Sequence, residues 1–267
     1  MKRLIALMRA GIIESLQFRL STAVAVFGNL VYLVLIYFLW KAIYDSAGTD
    51  VVNGMTFYDT MIYLVLATAI YNFLVMFIVW DMSREIQSGE IIMHLLKPMR
   101  FRKYTFWSYS GAHVIHFFLT FLPTFLVVQW VTDGAIPMGG NLILFVLSLV
   151  LALIINFNIE MLVSPICLYT ESTWGINIVK ETIVLLLSGA SIPLAFFPES
   201  MRAVVDYLPF RAVYDIPLSI LLGKNGTDTI EGLAQALGIQ LIWCVVLTIA
   251  GNLFWNHAVK QITVNGG

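Results

Sequence analysis

The side chains in this sequence that could do chemistry lie inside long apolar stretches. His113 and His116 are spaced i, i+3, so a helix would place both imidazoles on one face, where they could share a metal ion or a proton. No carboxylate or cysteine lies in the same stretch, which favours packing or a hydrogen bond instead. Ser188 is the remaining candidate nucleophile, and no motif joins it to either histidine. We therefore predict no catalytic residue and no metal site.

Motifs that bind nucleotides or activate a nucleophile are also missing from the sequence. It has no GxxxxGK[ST] phosphate loop, so the chain cannot bind ATP in that way. It has no His-Glu-x-x-His helix and no Gly-x-Ser-x-Gly elbow. Cys167 and Cys244 lie in apolar runs without disulfide or metal spacing, which predicts two small buried hydrophobic residues.

Four polar residues inside apolar stretches support a separate hypothesis. Asn156 and Glu160 lie one helical turn apart, Lys180 begins the next apolar segment, and Asn29 lies in the first. Charge inside a lipid bilayer is costly and normally faces protein or water. These residues therefore form either a polar link between spans, with Glu160 paired to Lys180, or part of a substrate path.

The composition indicates the class of protein in which these residues lie. Of the 267 residues, 60% are hydrophobic and 12% are charged, whereas soluble domains carry about 25% charged residues. The formal net charge of −1 gives no indication of nucleic-acid binding, for which a basic surface is typical. These values predict a polytopic membrane protein.

Six segments are long and apolar enough to cross a bilayer as helices, since a span takes about 20 residues. They are residues 22–44, 57–80, 106–131, 142–163, 175–197 and 233–255. The predicted fold is therefore an all-α membrane protein with six transmembrane helices in a single transmembrane domain, residues 1–267. Eleven of the 15 Lys and Arg residues flank one side of these spans, which predicts that both termini are cytoplasmic and that the protein lies in the cytoplasmic (inner) membrane.

Three segments outside the spans have their own pattern. Residues 1–21 have helical apolar spacing and are predicted to lie in the cytoplasmic interface. In residues 192–222, Pro193, Pro198 and Pro209 predict a broken outer hairpin that ends along the outer membrane face.

The third such segment, residues 81–103, is cytoplasmic in this topology. Gly89 can end one helix in a left-handed cap, and Pro98 stops the short helix that follows at residues 90–96. Ile92, Leu95 and Leu96 lie on one side of that helix. An exposed apolar face of this kind predicts docking to a partner protein.

Two local patterns carry a resemblance to a known family. Residues 84–98 contain a Glu, a Gly and a Leu-Leu-x-Pro ending, at Glu85, Gly89, Leu95, Leu96 and Pro98. The fifth predicted span ends in a Ser-Gly pair and spaced prolines, at Ser188, Gly189, Pro193, Pro198 and Pro209. With the order of the segments, these patterns resemble the permease subunit of type-2 ATP-binding-cassette (ABC) exporters, and among them single-domain bacterial permeases without a fused ATPase.

The resemblance implies a coupling helix that fits into a cleft of a separate ABC ATPase. That role would fall on residues 89–98, including Glu90, with Glu85 just before them. ATP and Mg²⁺ would be bound by the ATPase, and this chain would hold no cofactor. A second permease chain, identical or paralogous, would complete the transporter, and the substrate would be amphipathic, such as a drug, a lipid, a lipid-linked glycan or a peptide.

Two other functions remain as alternatives at this point. The first is a six-span intramembrane enzyme, for which Ser188, His113 and His116 are the available groups. The second is a non-transporting membrane scaffold or immunity factor. Co-purification with an ATPase distinguishes the exporter permease from both.

Overall fold

The computed structural model describes residues 2–17, 19–134, 136–170 and 173–261, and most of them are helical. The α-helices are α1 (Lys2–Gln17), α2 (Arg19–Ala47), α3 (Phe57–Leu74), α4 (Ile78–Ser88), α5 (Ile91–Leu95), α6 (Phe101–His116), α7 (Leu122–Val131), α8 (Asn141–Val163), α9 (Thr173–Leu187), α10 (Glu199–Val205), α11 (Asp215–Leu222) and α12 (Ile230–Ala258). A π-helical turn joins α6 to α7, and 3₁₀ turns follow α8 and α12.

Five helical stretches of the described residues are long and apolar enough to cross a membrane. They are Val26–Ala47, Phe57–Ser88, Phe101–Val131, Asn141–Leu168 and Ile230–Ala258. Lipid offers no hydrogen-bond partner for the backbone, and helices satisfy those groups internally. The chain is therefore an all-α, multi-pass membrane protein.

The fifth predicted span, residues 175–197, is not one continuous helix. The helix α9 has 15 residues and ends at Leu187, ten residues before the predicted end. Gly189 follows in the left-handed conformation (φ 82°), and Pro193 begins a short 3₁₀ turn. The glycine and the proline end the helix early, because neither conformation continues an α-helical ladder.

The second predicted span, residues 57–80, is also interrupted. The helix α3 ends at Leu74, α4 begins at Ile78, and residues 75–77 are not helical. Neither glycine nor proline lies in this interruption, which reads Val-Met-Phe. Its cause is therefore tertiary, and its partners are described with the site below.

The outer hairpin differs most from the expectation that it lies along the membrane face. The helix α11 is buried, with Leu218, Ile220 and Leu221 fully enclosed. It packs against α8, α12 and α3 in the main apolar core. A helix that is apolar on every side is stable only when it is surrounded, which explains why residues 215–222 insert between the spans.

The N-terminal helix α1 packs along α6 through two glycines. A Cβ atom on Gly11 would lie 2.5 Å from the carbonyl oxygen of Ser108, and one on Gly111 would lie 2.8 Å from the backbone nitrogen of Ile12 and overlap the carbonyl oxygen of Met8. The two backbones therefore touch at this crossing, and the glycines permit it.

Candidate coupling segment and interspan polar network

The link between α4 and α5 forms as the sequence predicts. Gly89 caps α4 in the left-handed conformation (φ 78°), and its N–H bonds to the carbonyl of Ile86. The helix α5 spans Ile91–Leu95, one residue shorter at each end than the predicted 90–96, with Glu90 and Leu96 as its caps. Pro98 follows in an exposed turn. The segment is thus a short helix placed at a fixed angle beyond α4.

The exposed face of α5 differs from the predicted one. Ile91 is buried, and Ile92 and Leu95 are half-buried against a cluster that includes Met82, Phe101 and Trp255. The side chains that face outward are Met93, 66% exposed, and Leu96, 75% exposed. Of the three residues predicted to form an exposed apolar face, only Leu96 is exposed, and the exposed neighbour Met93 was not among them. The helix uses Ile92 and Leu95 to anchor itself to the bundle.

Polar contacts of His94 and Lys97 also hold α5 in position. The Lys97 ammonium lies 3.1 Å from Nδ1 of His94 and 3.8 Å from the centre of the Tyr104 ring. An ammonium group only donates, so His94 carries its proton on Nε2, which lies 3.4 Å from a carboxylate oxygen of Glu85. Partial burial, and then the charge of Lys97, lower the pKa of His94 below its usual value. Glu85 and His94 therefore tie α4 to α5.

Side chains from α6 and α8 satisfy the backbone at the interruption between α3 and α4. The imidazoles of His113 and His116 donate through Nδ1 to the carbonyls of Phe73 (2.6 Å) and Asn72 (3.0 Å). These carbonyls have no helical partner, because the chain leaves the helix after Leu74. The two histidines thus have a structural role, and the hydrogen-bond interpretation of their spacing agrees with the geometry.

The helix α8 supplies the remaining partners of the interruption. Asn156 donates from Nδ2 to the carbonyl of Leu74 at 2.7 Å, and Glu160 accepts from the N–H of Val79 at 3.3 Å. An unsatisfied backbone group in a membrane costs several kcal/mol, so these bonds stabilise the interruption. The interruption is therefore built jointly by α6 and α8.

Glu160 and Lys180 form a buried ion pair between α8 and α9. Their side chains are 3% and 5% exposed. The Lys180 ammonium also lies 2.8 Å from a carboxylate oxygen of Glu181. The structure thus brings together three of the four polar residues named from the sequence, Asn156, Glu160 and Lys180. Asn29 lies elsewhere, on α2, where it donates to the side chain of Asn72 at 3.1 Å.

Sequence reasoning missed a second polar link, centred on Arg102. The guanidinium enters the bundle, donates to Asn158, and occupies the space that a Cβ on Gly251 of α12 would need. Asn158 in turn donates to Thr248 at 2.9 Å. A glycine and a threonine in α12 opposite an asparagine in α8 were the available signal for this contact.

The outer hairpin contains a further polar cluster that the sequence did not reveal. Asp215 is buried, and it accepts from Arg211 at 2.9 Å and from the hydroxyl of Tyr63 at 3.3 Å. A Cβ on Gly189 would lie 2.7 Å from the same hydroxyl, so glycine is required there both by space and by its positive φ.

Of the predicted hairpin prolines, Pro193 and Pro198 each precede a short helical turn, and Pro209 lies buried in the bend before α11.

Family comparison agrees with this architecture. The model of the ABC-2 family transporter protein matches residues 30–266. No curated relative matches the chain. The matched range includes the interrupted span, the α4–α5 link, the buried ion pair and the outer hairpin. The chain therefore belongs to the ABC-2 family of transporter proteins and is a membrane component of an ABC transporter.

Proposed function

We propose that this chain is the permease subunit of an ATP-driven exporter and that its energy comes from a separate ABC ATPase. The observation that carries the proposal is the geometry of α5. One side of this short helix is anchored in the bundle, while Met93 and Leu96 face outward with nothing in the described chain to cover them. Exposed apolar side chains on a rigidly held helix suit a docking contact with another protein.

The proposed topology has six spans, with both termini in the cytoplasm of a cell with a cytoplasmic membrane. The helix α9 would reach about 22 Å at 1.5 Å per residue, so it would cross only together with the hairpin that follows it. The distribution of Lys and Arg supports a cytoplasmic position for α5, since Lys97, Arg100 and Lys103 flank it.

The proposal assigns no cofactor to this chain. ATP and Mg²⁺ would be bound by the ATPase, and two permease chains, identical or paralogous, would form the transporter. The substrate class would be amphipathic. His113 and His116, which an intramembrane enzyme would need, are instead bonded to backbone carbonyls of α3.

The docking proposal predicts that Met93→Asp combined with Leu96→Asp abolishes co-purification of the ATPase with the tagged permease. Two carboxylates at the centre of an apolar contact would have to be desolvated without partners. A matched control is Met201→Asp combined with Val204→Asp, which places the same charges on exposed apolar positions of α10 in the outer hairpin. Recovery of the ATPase with each variant is measured by quantitative immunoblotting.

The expected result is loss of the ATPase in the α5 variant and full recovery in the α10 variant. Both variants should elute at the parental volume in size-exclusion chromatography. Equal recovery of the ATPase with both variants, or equal loss, would show that α5 is not the docking site.

A further inference from the structure

A cavity lies within the described part of the chain, between α1, α2, α4 and α6. Its volume is about 1010 Å³, enough for a drug-sized molecule. It extends from membrane depth, beside Asn29 and Leu119, to the cytoplasmic end of the bundle, beside Glu90 and His94. The cavity therefore reaches both the apolar and the aqueous region.

The cytoplasmic half of the cavity is acidic. Four carboxylates line it, from Glu14, Asp81, Glu85 and Glu90, against the one guanidinium of Arg84 among the described lining residues. Arg84 is paired with Asp81, and His94 with Glu85, so Glu14 and Glu90 are the lining carboxylates without an ion-pair partner among the described residues. The acidity is local, because Lys and Arg dominate the surrounding cytoplasmic segments. We call this half the carboxylate end.

The rest of the cavity combines aromatic and aliphatic side chains with polar ones such as Asn29, Asn72 and His116. Tyr71 and Phe77 line it, and Phe77 is 55% exposed. Tyr104 and Tyr109 line the carboxylate end, where the hydroxyl of Tyr109 donates to Asp81. Aromatic faces attract cations, and such contacts strengthen when water is excluded. One ring already shows this property, since Lys97 lies 3.8 Å above the centre of Tyr104. Apolar side chains such as Leu119 complete the half that we call the membrane end.

The interrupted span forms one wall of this cavity. Asn72, Val75 and Phe77 line it at the interruption between α3 and α4. Non-helical backbone at membrane depth is tolerated where it lines a cavity or is buried in protein, and interrupted helices often border binding sites. The wall is held by the hydrogen bonds from His116 and Asn156 described above, so its shape does not depend on an occupant.

We propose that this cavity binds an amphipathic organic cation, with the charged group at the carboxylate end and the apolar body at the membrane end. As a site where substrate loads before transport, it rests on the exporter function proposed above. As a binding site, it requires only this chain. Anions are excluded by the same charge that attracts a cation.

The test uses tetraphenylphosphonium and tetraphenylborate, two probes of nearly equal size and opposite charge. Each is titrated by isothermal calorimetry into the purified full-length chain in a non-ionic detergent, and the heat of empty micelles is subtracted. We expect saturable binding of tetraphenylphosphonium and none of tetraphenylborate. We expect Glu14→Gln, Asp81→Asn and Glu85→Gln together to weaken the phosphonium affinity by about tenfold or more.

A matched control removes three exposed carboxylates from the opposite end of the molecule, by Glu199→Gln, Asp228→Asn and Glu231→Gln. Its affinity should equal that of the parent. A second variant, Phe77→Leu, keeps every carboxylate and should weaken binding by about threefold. It keeps the test decisive if the triple variant fails to fold.

Equal binding of the two probes, parental affinity in both cavity variants, or an equal loss in the control would overturn the proposal. None of these outcomes depends on the ATPase. Conversely, the Met93→Asp and Leu96→Asp variant should bind tetraphenylphosphonium like the parent, so a failure of docking and a failure of this site are distinguishable.

Discussion

Lys180→Met alone is expected to lower the free energy of unfolding by about 3–5 kcal/mol. The change leaves the Glu160 carboxylate buried without its ammonium partner, while that carboxylate still accepts from the N–H of Val79. Breaking one side of a buried pair is far more destabilising than removing both charges. The measurement is unfolding by a denaturing detergent, followed by tryptophan fluorescence.

The double variant Glu160→Gln with Lys180→Met should recover most of that loss. The introduced amide would keep an acceptor for the N–H of Val79, and the carboxylate that loses its partner, on Glu181, is partly exposed to solvent. Lys41→Met is the matched control, because Lys41 is exposed on α2, and it should leave stability within about 0.5 kcal/mol of the parent. A double variant as unstable as Lys180→Met would show that the pair is not the source of the effect.

Gly111→Ala is expected to detach α1 from α6. The added Cβ would overlap the carbonyl oxygen of Met8 and lie 2.8 Å from the backbone nitrogen of Ile12. Backbone cannot move aside as a flexible side chain can, so the helices must separate, at a cost of about 1–3 kcal/mol. Limited trypsin cleavage after Arg9, which lies on α1, should then become about tenfold faster, since 1.4 kcal/mol corresponds to a factor of about ten.

Gly28→Ala is the control for this crossing. A Cβ on Gly28 would meet no atom within 4 Å, and alanine is the better helix former. Its cleavage rate should match the parent. If Gly111→Ala is cleaved at the parental rate, α1 and α6 do not touch as described.

The sequence predicted those features of the fold that depend on neighbouring residues alone, such as the long apolar helices and the helix cap at Gly89. Long apolar runs marked the helices that could span a membrane, because lipid selects for length and hydropathy alone. Gly89 predicted the left-handed cap between α4 and α5, because few other residues adopt that conformation without cost. Pro193 and Pro198 predicted a break near the end of the fifth segment, although the predicted boundary was ten residues too late.

The interruption at residues 75–77 could not be predicted in this way. Its sequence is apolar, and the groups that stabilise it are remote in the chain, on His113, His116, Asn156 and Glu160. The available signal was indirect. Polar side chains inside apolar helices must find partners, and some of those partners are backbone groups released by a break in another helix.

The orientation of α5 was missed for a similar reason. A helix of five residues is too short for periodicity to select one face, and Ile92, Leu95 and Leu96 are equally apolar. Packing against Phe101 and Trp255 decides which of them is covered. The burial of α11 likewise depends on the surrounding helices α3, α8 and α12, and on Gln240, which donates to the carbonyl of Ala212 at 2.8 Å.

The interruption in the second span also affects how, under the proposed function, a displacement of α5 would reach the other helices. A flexible connection between α3 and α4 would let α4 and α5 move without the rest of the bundle. This connection is instead hydrogen-bonded to side chains of α6 and α8. Tilting α4 away from α8 would break the hydrogen bond from the N–H of Val79 to Glu160, and an unsatisfied backbone group in a membrane costs several kcal/mol. Under the proposed function, a displacement of α5 would therefore pass through α4 to α8, to which Glu160 bonds it.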